Sequence, residues 1–156
     1  MSRIDGKRIG NIGEAETLAA FVRLGVPVFT PFGDSETADL LAEFGGRAQR
    51  IQCKSSARRS KTKTSVVFQI GHRMRNGDAM VGKQYEEGEV DYFALCNRIN
   101  GDIYLFPWTP DIKRNVSIVV DPVARHTKCL HYAEDFLLEK VVEEANGRAG
   151  ITKKGE

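Results

Sequence analysis

The chain has 156 residues, enough for one domain with a hydrophobic core and too few for two domains of ordinary size. Its composition, with 41% hydrophobic and 28% charged residues, is typical of a globular protein, and no apolar run approaches the roughly 20 residues of a membrane span. The net charge is only +2, no apolar stretch of a secretory signal follows the N-terminus, and three widely spaced cysteines argue against a disulfide framework. We therefore expect one cytoplasmic domain over residues 1–150 and a frayed tail over residues 151–156.

The first predicted element is an amphipathic helix over residues 9–24, ended by Gly25. At 100° per residue, Glu14 lies on the same face as Leu18 and Phe21, so it points inward. A carboxylate on a packing face needs a cation, a metal ion or hydrogen-bond donors. Pairing with a buried arginine is the alternative to a functional role.

Three strands follow the helix. A short one is predicted over residues 26–32, and those over residues 37–44 and 47–55 form an antiparallel hairpin across Gly45 and Gly46. Asp39 lies inside the otherwise apolar strand 37–44. If that strand begins later, Asp39 instead caps a turn.

The strand over residues 47–55 carries a regular alternation of side chains. Ile51 and Cys53 form its core face, whereas Arg50, Gln52 and Lys54 share the polar face. That face predicts contacts with phosphate or metal. The alternatives are a structural hydrogen bond for Gln52 and a purely basic surface for Lys54.

The remaining elements complete an α/β sandwich with a mixed central sheet flanked by an N-terminal and a C-terminal helix. The pattern predicts strands over residues 64–70, 89–97, 102–108 and 116–120, a long loop over residues 71–88, and a helix over residues 130–145.

Positive charge is concentrated in residues 47–83, which hold ten Lys or Arg and one acid, Asp78, so the rest of the chain is net acidic. A segment of net +9, containing the RRSKTK run at 58–63, indicates a polyanionic partner; a solvated basic loop is the alternative. The predicted phosphate contacts are Arg50, Arg58, Arg59, Lys61 and Lys63, and the predicted base contacts are Gln69, His72, Arg73, Arg75 and Asn76.

Four polar residues fall where a purely structural domain does not need them: Glu14, Asp39, Gln52 and Lys54. Mg²⁺ prefers oxygen ligands, which Asp39, the Gln52 amide and the Cys53 backbone carbonyl would supply. Lys54 would orient or deprotonate a water molecule or stabilise the phosphate.

A second possible metal site, formed by His126, Cys129 and His131, lacks a convincing fourth ligand. We prefer to place His131 at the start of the C-terminal helix.

The run from Asp39 to Gln52-Cys53-Lys54 resembles the signature of the PD-(D/E)XK nuclease superfamily, with Gln in place of the acidic residue of (D/E)XK. The GxxGE motif at Gly10–Glu14 resembles the N-terminal helix motif of its small branch, which contains Holliday-junction resolvases and intron-encoded homing endonucleases. The resemblance covers roughly residues 7–110, and the QxK variant resembles the homing enzymes.

This resemblance implies a Mg²⁺-dependent DNA endonuclease with Mn²⁺ as a substitute, with Glu14, Asp39, Gln52 and Lys54 as catalytic residues and Glu14 as a further metal ligand. The expected substrate is double-stranded DNA cut at specific sites. A junction-resolving nuclease and a non-catalytic DNA-binding relative are the alternatives. Cutting both strands requires two sites, which implies a homodimer or homotetramer.

Overall fold

The computed structural model describes residues 5–76, 79–121 and 131–150, and between residues 72 and 83 it describes the backbone alone. None of the helices in these ranges has the length and hydropathy of a membrane span. The helices are α1 (Gly6–Arg23), α2 (Ala133–Phe136) and α3 (Leu138–Arg148). The strands are β1 (Val28–Phe29), β2 (Leu40–Phe44), β3 (Arg47–Ser56), β4 (Ser65–Gln69), β5 (His72–Asn76), β6 (Ala79–Lys83), β7 (Tyr92–Asn97), β8 (Ile103–Pro107), β9 (Asn115–Val119) and β10 (His131–Tyr132).

The central sheet has five strands in the order β1-β2-β3-β7-β8. Strands β3 and β7 are parallel, and the other neighbours are antiparallel, so the sheet is mixed as expected. Helices α1 and α3 cover one face and bury a core that includes Phe21, Phe44, Ile51, Leu105 and Leu138.

A second sheet of three strands, in the order β10-β9-β4, accompanies a separate core. This second core joins residues of β4 and β9 to Phe93 and Leu95 of β7 and to Tyr104 of β8. Side chains therefore pack on both faces of the central sheet. The face of β3 that sequence alternation presents as polar is partly buried, and Gln52 keeps only 8% of its surface exposed.

The N-terminal helix is confirmed, although it begins three residues earlier than predicted. Asp5 is its N-cap, and its carboxylate accepts a hydrogen bond from the Lys7 N–H at 2.6 Å. Gly25 follows with φ of 71°, a left-handed conformation that glycine adopts at little cost and that ends the helix.

Three sequence predictions are corrected. The strand expected over residues 26–32 is reduced to Val28–Phe29, between two prolines that have no N–H to donate. The strand expected from residue 37 begins only at Leu40, so Asp39 precedes it. The long loop expected over residues 71–88 contains the antiparallel pair β5 and β6, which form a separate two-stranded ribbon.

The C-terminal helix is also corrected. His131 does not open it, because His131 and Tyr132 pair in parallel with β9. The helix is broken at Leu137, whose backbone (φ −52°, ψ 132°) is extended and bridges to Tyr104. A local helical pattern does not reveal this pairing with a distant strand. His126, Cys129, Leu130 and the tail over residues 151–156 lie outside the described residues.

Candidate active site

The β2–β3 hairpin positions Asp39. Gly45 and Gly46 have φ of 65° and 80°, which a two-residue hairpin turn requires at both positions. The resulting register pairs Leu40 with Ile51, and the Asp39 N–H donates to the Ile51 carbonyl at 2.9 Å. Asp39 therefore stands opposite Gln52 on the neighbouring strand.

The carboxylate of Asp39 is held by two donors. Its Oδ2 accepts hydrogen bonds from Gln52 Nε2 and from the Cys53 N–H, both at 2.8 Å. Because both bonds use the same oxygen, neither occupies Oδ1. Because β2 begins only at Leu40, the Cys53 N–H has no backbone partner on β2. It donates to the side chain of Asp39 instead.

The two ends of the Gln52 side-chain amide differ in their contacts. Its amide nitrogen binds Asp39, but its Oε1 is buried and accepts no hydrogen bond within the described residues. A buried polar atom of this kind costs about 1–3 kcal/mol unless something binds it. A divalent cation that takes oxygen ligands would satisfy Oε1, so the residues present fit the metal site that the sequence suggests.

The alternation of backbone groups along β3 also directs the Cys53 carbonyl towards the β2 side, where Asp39 lies. Ile51 directs its carbonyl towards the β2 side, and the residue two positions further along a strand directs its backbone groups the same way. Cys53 does so, since its N–H reaches Asp39 there. Because β2 begins only at Leu40, opposite Ile51, the Cys53 carbonyl lies beyond the last backbone pair of β2 and β3.

Gly13 brings helix α1 against the sheet beside Glu14. It is buried, and a Cβ added to it would overlap Ser55 Oγ and lie 3.4 Å from Cys96 Sγ. Thr17 donates to the Gly13 carbonyl one turn earlier in the helix at 2.8 Å, and the same hydroxyl reaches the sheet, 3.3 Å from Cys96 Sγ. By contrast, nothing lies within 4 Å of a Cβ added at Gly10. In the GxxGE motif, a Cβ would overlap a neighbouring residue only at the second glycine.

The charges of Glu14 and Asp39 act on each other. Burial, followed by the charge of Asp39, raises the pKa of Glu14 above its usual value. Burial also raises the pKa of Asp39, against opposing effects of the Cys53 N–H and the Lys54 ammonium. Burial disfavours the ionised form of both carboxyl groups. A cation bound between them would stabilise the ionised forms.

Lys54 brings a positive charge close to Asp39. Burial lowers the pKa of its amine, and the negative charge of Asp39 opposes that change. Its Nζ lies 5.7 Å from the ring centroid of Tyr85, which is 7% exposed. Sequence reasoning missed Tyr85 because it assigned residues 71–88 to a loop. The available signal was that Tyr85 is the only Phe, Tyr or Trp in that segment.

The structure thus brings Asp39, Gln52, Cys53 and Lys54 together and places Glu14 within electrostatic reach. Within the described ranges, no three His, Cys, Asp or Glu side chains form a metal-binding group. A cation here would therefore depend on the amide oxygen of Gln52 and the Cys53 carbonyl as well as on carboxylates. The ring of His131, from the alternative metal site, packs against the rings of Phe106 and Phe136, with centroid distances of 4.7 and 5.6 Å.

The predicted DNA contacts lie on four parts of the chain: β3, the β3–β4 connection, β4 and β5. Arg50 is exposed, and its Nη1 donates to the Gly88 carbonyl. The side chain of Gln69 is exposed at the end of β4, while His72, Arg73, Arg75 and Asn76 belong to β5, where only the backbone is described. The four remaining cations, all exposed between β3 and β4, are Arg58, Arg59, Lys61 and Lys63.

Hydrogen bonds order the connection that carries these four cations. The Lys63 N–H donates to the Ser60 carbonyl at 2.9 Å, and the Val67 N–H donates to the Arg58 carbonyl at 2.8 Å. Lys63 itself has φ of 59°, a left-handed conformation uncommon for a residue with a side chain. The four charges are therefore presented on a defined turn.

Replacing Gly13 tests the helix–sheet approach. We expect Gly13→Ala to lower the unfolding free energy relative to Gly10→Ala by about 1–3 kcal/mol, since overpacking costs that much. Gly10→Ala is the matched control and should be neutral or stabilising in the helix. Adding Ser55→Ala to Gly13→Ala should restore stability, because Ser55 Cβ lies at an acceptable 3.7 Å. Equal stability of the two single variants, measured by chemical denaturation, would contradict this role.

Gln52→Glu tests the amide as a ligand. The change removes the donor to Asp39 and places a second carboxylate against it, so without metal the variant should lose about 1–3 kcal/mol of stability. With metal, the added charge should tighten binding. Gln52→Met is the control, which loses the hydrogen bond without adding charge. Calorimetric metal titrations decide the matter: weaker binding by the Glu variant than by the wild type would contradict the ligand role.

Comparison with known proteins gives the family. A family model described as PD-(D/E)XK endonuclease matches residues 4–139. A solved structure of a bacterial homing endonuclease, I-Ssp6803I, superposes with a TM-score of 0.76 over 96% of this chain and 99% of that chain, at 20% identity. No curated protein matches the chain. The structural likeness confirms the fold, and because the family model spans most of the sequence, this protein belongs to the PD-(D/E)XK endonuclease family.

Proposed function

We propose that this endonuclease hydrolyses double-stranded DNA at specific sites in a reaction that depends on a divalent metal ion, with Mg²⁺ as the natural ion and Mn²⁺ as a substitute. The observation that carries the proposal is the buried Oε1 of Gln52, which has no partner within the described residues and belongs to the amide whose Nε2 donates to the Asp39 carboxylate. Hydrolysis of a phosphodiester requires neutralisation of the phosphate charge and an activated water molecule. The site contains groups for both tasks.

The residues that would hold the ion are Asp39, through its Oδ1, the Gln52 Oε1, the Cys53 carbonyl and Glu14. When bound, a divalent cation polarises the phosphate and lowers the pKa of a water molecule. Gln52 and the Cys53 N–H hold Asp39 in a single orientation, which avoids reorganisation during the reaction. Lys54 supplies a positive charge close to Asp39.

Substitution of Gln for the usual acid lowers the negative charge of the site. Two carboxylates, Glu14 and Asp39, remain, and Lys54 offsets one of them. This charge suits one tightly held divalent ion better than two.

A homing-type role is supported by the QxK form of the motif and by the likeness to a bacterial homing endonuclease. The proposed substrate-reading element is the β5–β6 ribbon, because the major groove of DNA admits a two-stranded antiparallel ribbon. Its β5 strand has the sequence HRMRN, whose residue types read base edges. A double-strand break would further require two copies of the chain.

The proposal is tested by cleavage of three substrates in parallel: a linear duplex library, a four-way junction and single-stranded DNA. We expect Mg²⁺-dependent cutting of the duplex at a preferred sequence and loss of cutting in EDTA. Preference for the junction would favour a resolvase, and binding without cutting would favour a non-catalytic relative. Cutting that persists in excess EDTA would overturn the metal dependence.

The exposed cations of the β3–β4 connection are expected to bind backbone phosphates. Replacing Arg58, Arg59, Lys61 and Lys63 with Ala should weaken binding of all duplexes alike. The slope of log affinity against log salt should fall by about one unit for each phosphate interaction removed. A matched control removes the same charge from exposed positions elsewhere in the chain, with Ala at Lys7, Arg23, Lys113 and Arg148. Equal slopes for the wild type and the first variant would show that this turn does not bind DNA.

A further inference from the structure

Tyr85 lies at the candidate active site although it belongs to no strand or helix. Its ring packs edge-on against Phe93 of β7, with centroids 5.2 Å apart, and only 7% of the residue is exposed. Phe93 pairs with Gln52 in the β3–β7 register, so the Tyr85 ring packs on β7, the strand next to β3. The ring therefore packs on the same strand pair that carries Gln52 and Lys54.

Lys54 lies over this ring. Its Nζ is 5.7 Å from the centroid, within the range of a cation–π contact. Burial, followed by the charge of Asp39 and of Glu89, raises the pKa of Tyr85, which places its phenol in the field of the same carboxylate. The Lys54 amine therefore lies over the Tyr85 ring, and the charge of Asp39 acts on both groups.

The connection over residues 84–91, between β6 and β7, is fastened to β3. Asp91 accepts from Arg47 Nη2 at 2.8 Å and from the Arg50 N–H at 2.7 Å. Arg50 Nη1 donates to the Gly88 carbonyl, and Val90 is buried. These bonds reach β3 within seven residues of the Lys54 position and restrict where the connection can place Tyr85.

We propose that Tyr85 is a positioning residue for the nuclease reaction, whose ring holds the Lys54 ammonium in the orientation that catalysis uses. This inference rests on the proposed function. A lysine side chain has four rotatable bonds, and its amine would otherwise sample many positions around Asp39. The aromatic face limits that freedom without adding a charge that competes for the metal ion.

The test compares three variants of the full chain. Tyr85→Phe keeps the ring and should retain kcat, whereas Tyr85→Leu removes it and should lower kcat about tenfold. DNA affinity and KM should stay within about twofold of the wild type, because the ring acts on the amine and not on DNA binding. Phe68→Leu is the control: Phe68 is fully buried in the same core and its ring contacts Tyr104, so this variant should lose stability but keep kcat per folded molecule.

A spectroscopic measurement separates positioning from stability. In protein labelled with ¹³C at the lysine ε-carbons, the Lys54 signal, identified by its loss in Lys54→Arg, should show a ring-current shift. That shift should persist in Tyr85→Phe and Phe68→Leu and disappear in Tyr85→Leu.

Several results would overturn the inference. If the wild type cuts DNA and Tyr85→Leu cuts equally fast per folded molecule, the inference alone is wrong. Equal loss of kcat in Tyr85→Phe and Tyr85→Leu would assign the effect to the hydroxyl instead of the ring. A Lys54 signal unchanged in Tyr85→Leu would remove the interaction on which the inference rests. A wild type that cuts no DNA with any divalent metal would overturn the proposed function, and this inference with it.

Discussion

Asp39→Asn is expected to lower DNA cleavage by at least about a thousandfold while leaving DNA binding within a few-fold of the wild type. The Asn side chain can still accept hydrogen bonds from Gln52 and the Cys53 N–H through one oxygen, so the geometry is retained. What is lost is the negative charge that would hold the cation. An effect of this size follows because electrostatic groups at reacting centres contribute factors of about 10²–10³ each, and the proposed metal ion would be lost with the charge.

The same variant should be more stable than the metal-free wild type at neutral pH. Burial raises the pKa of Asp39, so the folded state binds this proton more tightly than the unfolded state. The group therefore stabilises the fold at low pH, and this contribution is lost as the pH rises through its folded pKa. Asparagine does not ionise, so the advantage of the variant should be present at pH 7 and vanish below about pH 4, the unfolded value.

Metal should reverse the order of stability. A saturating divalent ion at 100 times its Kd adds about 2.7 kcal/mol to a protein that binds it, and the Asn variant should gain little. Glu14→Gln provides a second variant with the same sign, because burial and Asp39 raise the pKa of Glu14 too. An Asp39→Asn protein that is folded, fully active and stabilised by metal as the wild type is would show that the site lies elsewhere.

Lys54→Met is expected to lower kcat by about 10²–10⁴, the range for a group that transfers a proton or stabilises charge in the transition state. Stability should be nearly unchanged, because burial disfavours the ammonium and methionine has a similar length. DNA affinity should change little, since one partly buried cation contributes little to phosphate binding.

Lys61→Met is the matched control for this variant. It makes the same substitution on the exposed β3–β4 connection, 7 residues away in sequence, and should reduce affinity and its salt dependence while kcat at saturating DNA is retained. Single-turnover cleavage at saturating DNA measures both variants. Full kcat in Lys54→Met, or an equal loss in the two variants, would contradict the catalytic assignment.

Several features of this protein were determined by local sequence. The helical spacing of Leu18 and Phe21 together with Gly25 determined α1, and Gly45 and Gly46 determined the β2–β3 hairpin. The hairpin in turn brought Asp39 opposite Gln52. Short-range patterns are reliable here because the turn geometry fixes the strand register without help from the rest of the chain.

Other features depended on contacts between distant parts of the chain. Packing on both faces of the central sheet buries Gln52, so a residue that alternation assigns to a polar face has an oxygen with no partner in the described part of the chain. Leu137 leaves the helical conformation to pair with Tyr104, although its neighbours have helical spacing. Neither outcome follows from periodicity, because periodicity describes one element and not the surface that packs against it.

The limit of prediction from sequence is clearest at Tyr85. Its segment is polar and rich in glycine, so the sequence predicts a loop, and nothing in the local pattern connects it to Lys54, 31 residues earlier. The tertiary structure alone brings them together, through hydrogen bonds from Arg47 and Arg50 to the connection that carries Tyr85. The sequence by itself determined which residues are available for metal and phosphate chemistry. Long-range pairing of the strands decided which of them share one site, because only that pairing sets the distances between their side chains.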